Sequence, residues 1–469
     1  MFEAQVYKNR RLALATAMRK RGIREGVVLL HGNFRSPRTY QDNCYPFRQD
    51  SSWLYFIGLD QPGMAATIDV ESGGTLLYGG EPTLSDLIWT GPQPKLREYA
   101  DSAGIEGIGT YAALPDRLAG LRHQSLEVFT LPPYQAAVGN ALSHLLGLEG
   151  KKLSAGAKTP GGLALIEGVV ELRQIKEDRE VVALEEAVGI TVEMHKALIK
   201  TLKPGWTEVE SAAFVQRMAL DHGAALGFET IATVRGETLH NHPSARTCRE
   251  GDLFLIDAGA EIGAGYSGDL TSTFPVDRRF SSRHKDLYLL LSRVFTKAVD
   301  FLGPGRLFLD VHMAACLELA KGLGELGLMK GDPQDAVAQG AHALFFPHGL
   351  GHMIGLDVHD MENLGEDAVG YGPLARSEQF GLKSLRLAKA LEPGMVHSVE
   401  PGIYFIPGLI DRWRAEGRAG DFIDYQALED WRDEKGMRLE EDWLVTPRGS
   451  RRLGPVFDRS VEAIECLRA

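Results

Sequence analysis

The sequence predicts an α/β (α+β) protein of two domains, and three observations carry that prediction. The chain has 469 residues, and at about 150 residues per domain that is enough for two or three. Its first ~170 residues alternate short apolar strands with helical segments. Beyond them a long helix gives way to short Gly-flanked strands ending in His, Asp and Glu. The boundary is placed near residues 170–178, giving domains 1–172 and 173–469.

The elements follow in order. The N-terminal MFEAQVYKNRRLALATAMRKRG is basic and amphipathic, without the apolar core of a secretory signal, and reads as a first surface helix. Gly26–Gly32 (GVVLLHG) is a short buried strand. Met64–Val70 and Thr75–Tyr78 are apolar runs joined by Glu71-Ser72-Gly73-Gly74, a hairpin signal. Leu126–Leu131 reads as a strand, and Tyr134–Leu146 has helical spacing. A long helix runs from about Glu177 to Leu202, where Lys203-Pro204-Gly205 stops it. Thr207 and Glu210 form a capping box that starts the next helix.

Composition narrows the function. Apolar residues make up 44% and charged residues 24% of the chain, the balance of a globular protein rather than a disordered one. The net charge of −12 argues against a nucleic-acid partner, which needs a basic surface. No stretch approaches the ~20 apolar residues of a membrane span. Cys44, Cys248, Cys316 and Cys466 are scattered, so neither a disulfide framework nor a Cys-rich zinc site is expected, and a reducing cytoplasm fits. Phosphate-loop and dinucleotide fingerprints are absent from the first domain.

The chemistry-bearing residues lie in four later segments. LFLIDAG reads as a buried strand ending in Asp257, and a buried carboxylate is costly unless paired or metal-bound. GYSGDLTSTF places Asp269 twelve positions on, where a Gly-rich turn can bring the two carboxylates together. FFPHGLGHMIGLDVHD holds His348, His352 and His359, three imidazoles flanked by glycines that argue against a helix. MVHSVEPGIYF reads as a strand ending in Glu400. In MRLEEDWLV, a two-residue period sends Arg438 and Glu440 to one face, although such a charge run by itself reads as a solvated strand. Asp257, Asp269, His352, Glu400 and Glu440 together make four carboxylates and one imidazole, with no thiolate. That hard, oxygen-rich set suits manganese or another first-row divalent ion, and exceeds the needs of one ion if a carboxylate bridges.

The order and wording of these segments resemble the creatinase/aminopeptidase P/prolidase family. The matching segments are TLHNH, LIDAG, GYSGDLTSTFP, HGLGH, LDVHD, EPGMVHSVEPGIYF and MRLEEDWLVT. FRQDSSWLYFIGLDQPG and IWTGPQP resemble the N-terminal domain of aminopeptidase P. The resemblance implies a creatinase/aminopeptidase P-like N-terminal domain followed by a pita-bread metallopeptidase domain. It implies a homo-oligomer, dimer or tetramer, that cleaves peptides after a residue preceding proline with two divalent metal ions, most readily Mn2+. Carried over residue by residue, Asp257, Asp269, His352, Glu400 and Glu440 are metal ligands, with Asp269 and Glu440 touching both ions. Glu400 also carries a proton, His240 and His359 hold substrate and oxyanion, and His348 lines the proline pocket. Arg438 backs the ligand strand, and Trp89 matches a tryptophan that reaches a neighbouring subunit's pocket.

This chain departs from the pattern in several places. The Asp257–Asp269 interval is one residue longer, and residues 405–436 form an insertion like that of eukaryotic-type prolidases. GLKSLRLAKALEPG resembles the same branch and places Arg386 where such enzymes bind a dipeptide's carboxylate. His242 has no counterpart and reads as a surface-loop histidine. Xaa-Pro aminopeptidase remains the expected activity, and these departures make Xaa-Pro dipeptidase the alternative. A non-catalytic binding module of the same fold is remote, because all five ligands are present.

Overall fold

The computed structural model describes residues 2–148 and 156–469. They form two compact units: Met1–Arg173 with Met361–Ala368, and Gln174–Asp360 with Val369–Ala469.

The first unit is built on a five-stranded sheet. Its strands are β1 (Val27–His31), β2 (Ala65–Asp69), β3 (Thr75–Gly79), β4 (Gly107–Thr110) and β5 (Val128–Phe129), in the order β4-β3-β2-β1-β5. The hairpin between β2 and β3 forms where the Gly73-Gly74 turn is expected, with Asp69 N–H bonded to the Gly74 carbonyl at 2.9 Å. The expected strand Leu126–Leu131 shrinks to two residues. Leu126 spends its N–H on the Leu121 carbonyl, closing the preceding helix, and Pro132-Pro133 offers no donors beyond.

The first helix, Ala4–Lys20, is more than a surface helix. It buries Arg10 and Arg11 along with Leu14 and Met18. Arg11 is tolerated there because its guanidinium donates to the carbonyls of Phe56, Ala103 and Gly104 at 2.8–3.0 Å. The helix Pro160–Gln174 has no expected counterpart at the boundary, and its Arg173 donates to Ser52 Oγ at 3.0 Å.

The second unit opens on the helix Asp178–Thr201 and then Glu208–Asp221, whose Thr207–Glu210 capping box forms as expected. Small antiparallel sheets follow. Their strands are β6 (Ala225–Leu226), β7 (Ile231–Thr233), β8 (Leu253–Ala258), β9 (Ala260–Glu261), β10 (Leu270–Pro275), β11 (Val396–Val399), β12 (Gly402–Tyr404), β13 (Gly436–Arg438), β14 (Glu441–Thr446) and β15 (Gly449–Arg452). Three sheets carry the site: β10-β8-β7, β11-β14-β15 and β12-β13.

The MRLEEDWLV segment is not one strand. It breaks at Leu439-Glu440, with β13 pairing β12 and β14 pairing β11. Glu440 N–H goes instead to the Thr271 carbonyl of β10, at 3.1 Å. Nor is the segment solvated: Arg438, Glu440, Glu441 and Asp442 are all buried. The insertion packs into its own unit through the helix Pro407–Ala415, which buries Ile410 and Trp413. No helix among the described residues is long and apolar enough to cross a membrane.

Candidate metal centre

β8 is the middle strand of its sheet, and its end delivers Asp257 opposite Thr271 of β10 and Ile231 of β7. The chain then turns through residues 259–268. Gly259 and Gly268 approach so closely that a Cβ on Gly259 would lie 1.8 Å from the Gly268 carbonyl, so side chains are excluded there. The turn returns Asp269 beside Asp257, and Asp442 Oδ2 accepts the Asp269 N–H at 2.8 Å.

His352 arrives from the Gly-rich loop. Its N–H bonds to Ser398 Oγ at 3.1 Å, and its Nδ1 donates to the Met353 carbonyl at 3.2 Å. That turns Nε2 toward the carboxylates, 3.4 Å from Asp269 Oδ2 and 3.5 Å from Glu400 Oε1. Gly351 permits the approach, since a Cβ there would meet the Ser398 carbonyl at 2.2 Å. Glu440 accepts from Thr271 Oγ1 at 2.6 Å. One donor atom each from Asp269, His352 and Glu440 lies within 4.8 Å of the others.

The electrostatics call for a cation. Burial raises the carboxyl of Asp269 well above the usual range, and Asp257 and Glu400 push it further. Burial likewise raises Glu440, followed by Asp269 and Asp257, and raises Glu400, followed by Glu440. Asp257 Oδ1 and Asp269 Oδ1 are buried with no hydrogen-bond partner. Orphaned carboxylate oxygens among mutually repelling acids fit divalent cations bound by hard ligands.

Arg438 joins this centre to the next group. Its guanidinium pairs with Asp257 Oδ2, and its Nε donates to Thr271 Oγ1 at 3.0 Å. Nη1 donates to the Tyr404 hydroxyl at 3.1 Å; that hydroxyl donates to His348 Nε2 at 2.9 Å; and His348 Nδ1 donates to the Gly349 carbonyl at 2.8 Å. This relay assigns one tautomer to His348 and keeps it neutral. Burial, then the Arg438 charge, pushes its pKa down to about 3. Tyr404 was invisible as a site residue: it sits in GIYF without charge or spacing to mark it.

A cleft of about 630 Å³ collects these groups. Asp257, Asp269, His352, Glu400, Glu440, Arg438, His240, His348, His359 and Arg386 all line it. The His359 ring stacks on His352 at 3.9 Å. Burial, then Arg438, lowers the pKa of His240. His242 reaches the rim but is exposed and pairs with Glu229 at 2.9 Å. Trp89 is elsewhere, in the first unit on the helix Leu84–Thr90, 82% exposed.

A second residue set missed in the sequence anchors the His359 loop. Lys176 Nζ lies 2.8 Å from Asp360 Oδ2, both side chains about 1% exposed. Lys176→Met is expected to lower the stability of this unit by roughly 3–5 kcal/mol, because it removes one partner of a buried ion pair. In thermal unfolding, adding Asp360→Asn should recover most of the loss. A single variant as stable as the parent would show that the pair is dispensable.

The comparisons with known proteins agree with this geometry. The chain matches the sequence model of metallopeptidase family M24 over residues 182–447, and that of the aminopeptidase P N-terminal domain over residues 7–129. It is 31% identical to the Xaa-Pro dipeptidase of Rattus norvegicus, across 98% of this chain and 92% of that one. It is 29% identical to the Xaa-Pro aminopeptidase of Escherichia coli strain K12, across 91% and 90%. A variant of Escherichia coli aminopeptidase P in complex with substrate superposes with a TM-score of 0.80 at 26% identity, covering 100% of this chain and 98% of that one. The chain therefore belongs to metallopeptidase family M24, a divalent-metal enzyme whose pita-bread catalytic domain follows an aminopeptidase P-type N-terminal domain.

Proposed function

We propose that this enzyme is a dinuclear Xaa-Pro aminopeptidase, hydrolysing the bond between an N-terminal residue and a following proline. The observation that supports it most is the gathering of five hard ligands and three histidines around one cleft. Asp257, Asp269, His352, Glu400 and Glu440 would hold two divalent ions, with Mn2+ the proposed metal. Bound there, such ions polarise the scissile carbonyl and acidify water. Glu400 takes and returns the proton at its carboxylate, His240 and His359 hold the substrate and the developing oxyanion, and neutral His348 lines the proline pocket. A proline amide lacks the N–H that ordinary proteases anchor, and a pocket shaped for the pyrrolidine ring replaces that anchor.

One observation favours Xaa-Pro dipeptidase as a second reading. Arg386 is not a solvated turn residue: it lines the cleft, and its charge acts on both Glu400 and His240.

The test is release of arginine from Arg-Pro-Pro by dialysed chain reloaded with manganese, with metal content measured in parallel. About two ions per chain are expected, since five ligands exceed one closed tetrahedral site. No release from any Xaa-Pro peptide, or metal that never rises above trace, would overturn the reading.

We also propose a cytoplasmic location and, separately, a homo-oligomer, at least a dimer. The oligomer's support is the helix Leu84–Thr90, which buries none of its residues and exposes Leu84, Leu87, Ile88 and Trp89, an apolar patch that calls for a cover. Light scattering should give a mass at least double 51.4 kDa. Trp89→Glu should lower it, and a monomer in the parent at micromolar concentration would refute the oligomer.

A further inference from the structure

Away from the cleft, the helix Phe308–Glu325 carries His312 and Cys316 one turn apart, facing His342 on the short turn Ala341–Leu344. All three are 0% exposed. One donor atom from each lies within 4.8 Å of the other two. None of the three lines the cleft.

Their hydrogen bonding does not explain their burial. His312 Nδ1 and both ring nitrogens of His342 are buried without a partner. A neutral imidazole has one N–H and one lone pair, and both are normally satisfied inside a protein. Cys316 Sγ lies 3.4 Å from His312 Nε2. Bonds of about 2.3 Å to thiolate sulfur and about 2.05 Å to imidazole nitrogen place two such donors roughly 3.5–3.8 Å apart around one ion. The pair therefore needs only a few tenths of an ångström to spread.

We propose that His312, Cys316 and His342 form a second, thiophilic metal site that takes one Cu(I) ion. Two neutral imidazoles and one thiolate are a soft, three-donor set, unlike the carboxylate-rich centre in the cleft. Charge chooses the ion. Cu(I) with one thiolate is neutral, whereas a divalent ion would leave a positive charge in an apolar interior. Burial is the leading influence on all three: it lowers His342, lowers His312 ahead of His342, and raises the Cys316 thiol. On binding, the Cys316 S–H bond breaks, its proton leaves to solvent and a Cu–S bond forms, with no change of oxidation state.

The site would clamp a segment that serves the cleft. Phe346 packs its ring against His312 at 5.5 Å and against His348 at 4.7 Å. An ion tying His342 to the helix fixes the turn that leads into His348.

The test uses full-length enzyme whose cleft is loaded with manganese. It is copper-loaded by two routes, incubation with chelator-buffered Cu(I) under reductant and expression in copper-supplemented medium. About one copper per chain is expected by at least one route, with one sulfur and two nitrogen neighbours in X-ray absorption. Melting temperature should rise with free Cu(I). Cys316→Ala and His342→Asn should each lose the copper and the shift, while Cys44→Ala keeps both. Copper retained by Cys316→Ala, or a parent chain holding no more copper than that variant by either route, would overturn the proposal. Circular dichroism shows whether each variant is folded, and the two variants fail independently.

Discussion

Glu400→Gln is expected to cut turnover of Xaa-Pro peptides by about 10²–10⁴-fold, the usual worth of a general acid–base group. Glutamine keeps the shape but loses the charge and the ability to carry a proton. The fold should persist, because Glu400 is set by its backbone: its N–H bonds to the Leu350 carbonyl at 2.8 Å, at the end of the β11–β14 ladder. The loss should appear in kcat, measured on manganese-reloaded protein with an unchanged circular dichroism spectrum. A loss smaller than tenfold in a folded, metal-loaded variant would mean that the proton travels through another group.

Arg386→Ala is expected to raise KM for Gly-Pro by roughly 10- to 100-fold, matching about 1.5–3 kcal/mol for a hydrogen bond to a charged group. A dipeptide's free carboxylate sits on its proline, and on the dipeptidase reading the Arg386 guanidinium would bind it through two parallel hydrogen bonds. A longer peptide has an amide at that point, so Arg-Pro-Pro hydrolysis should change little. Arg386 half-buries in the cleft wall while Lys383 of the same loop faces solvent. Equal losses on both peptides would make Arg386 structural. No loss on either would leave the insertion as the remaining support for dipeptidase activity.

Much of the chemistry was legible because it is written in residue type and local order. A buried apolar strand ending in Asp257, a Gly-rich turn before Asp269, and glycines around His348 and His352 each carry their meaning within about a dozen residues. So do the Thr207–Glu210 cap and the Gly73-Gly74 hairpin, whose bonds close inside one segment. What distant segments do to one another was not legible. Period-two spacing in MRLEEDWLV gave one exposed strand; the chain instead breaks at Leu439-Glu440, because Thr271, 169 positions away, takes the Glu440 N–H and donates to its carboxylate. The relay from Arg438 through Tyr404 to His348, the Lys176–Asp360 pair and the His312–Cys316–His342 cluster share that cause. Each joins polar groups that look solvated in their own segments and become costly once buried, so the partner that satisfies them is fixed by packing. Local sequence determined which residues could do chemistry, and tertiary contact decided which lone pairs and protons remain available for it.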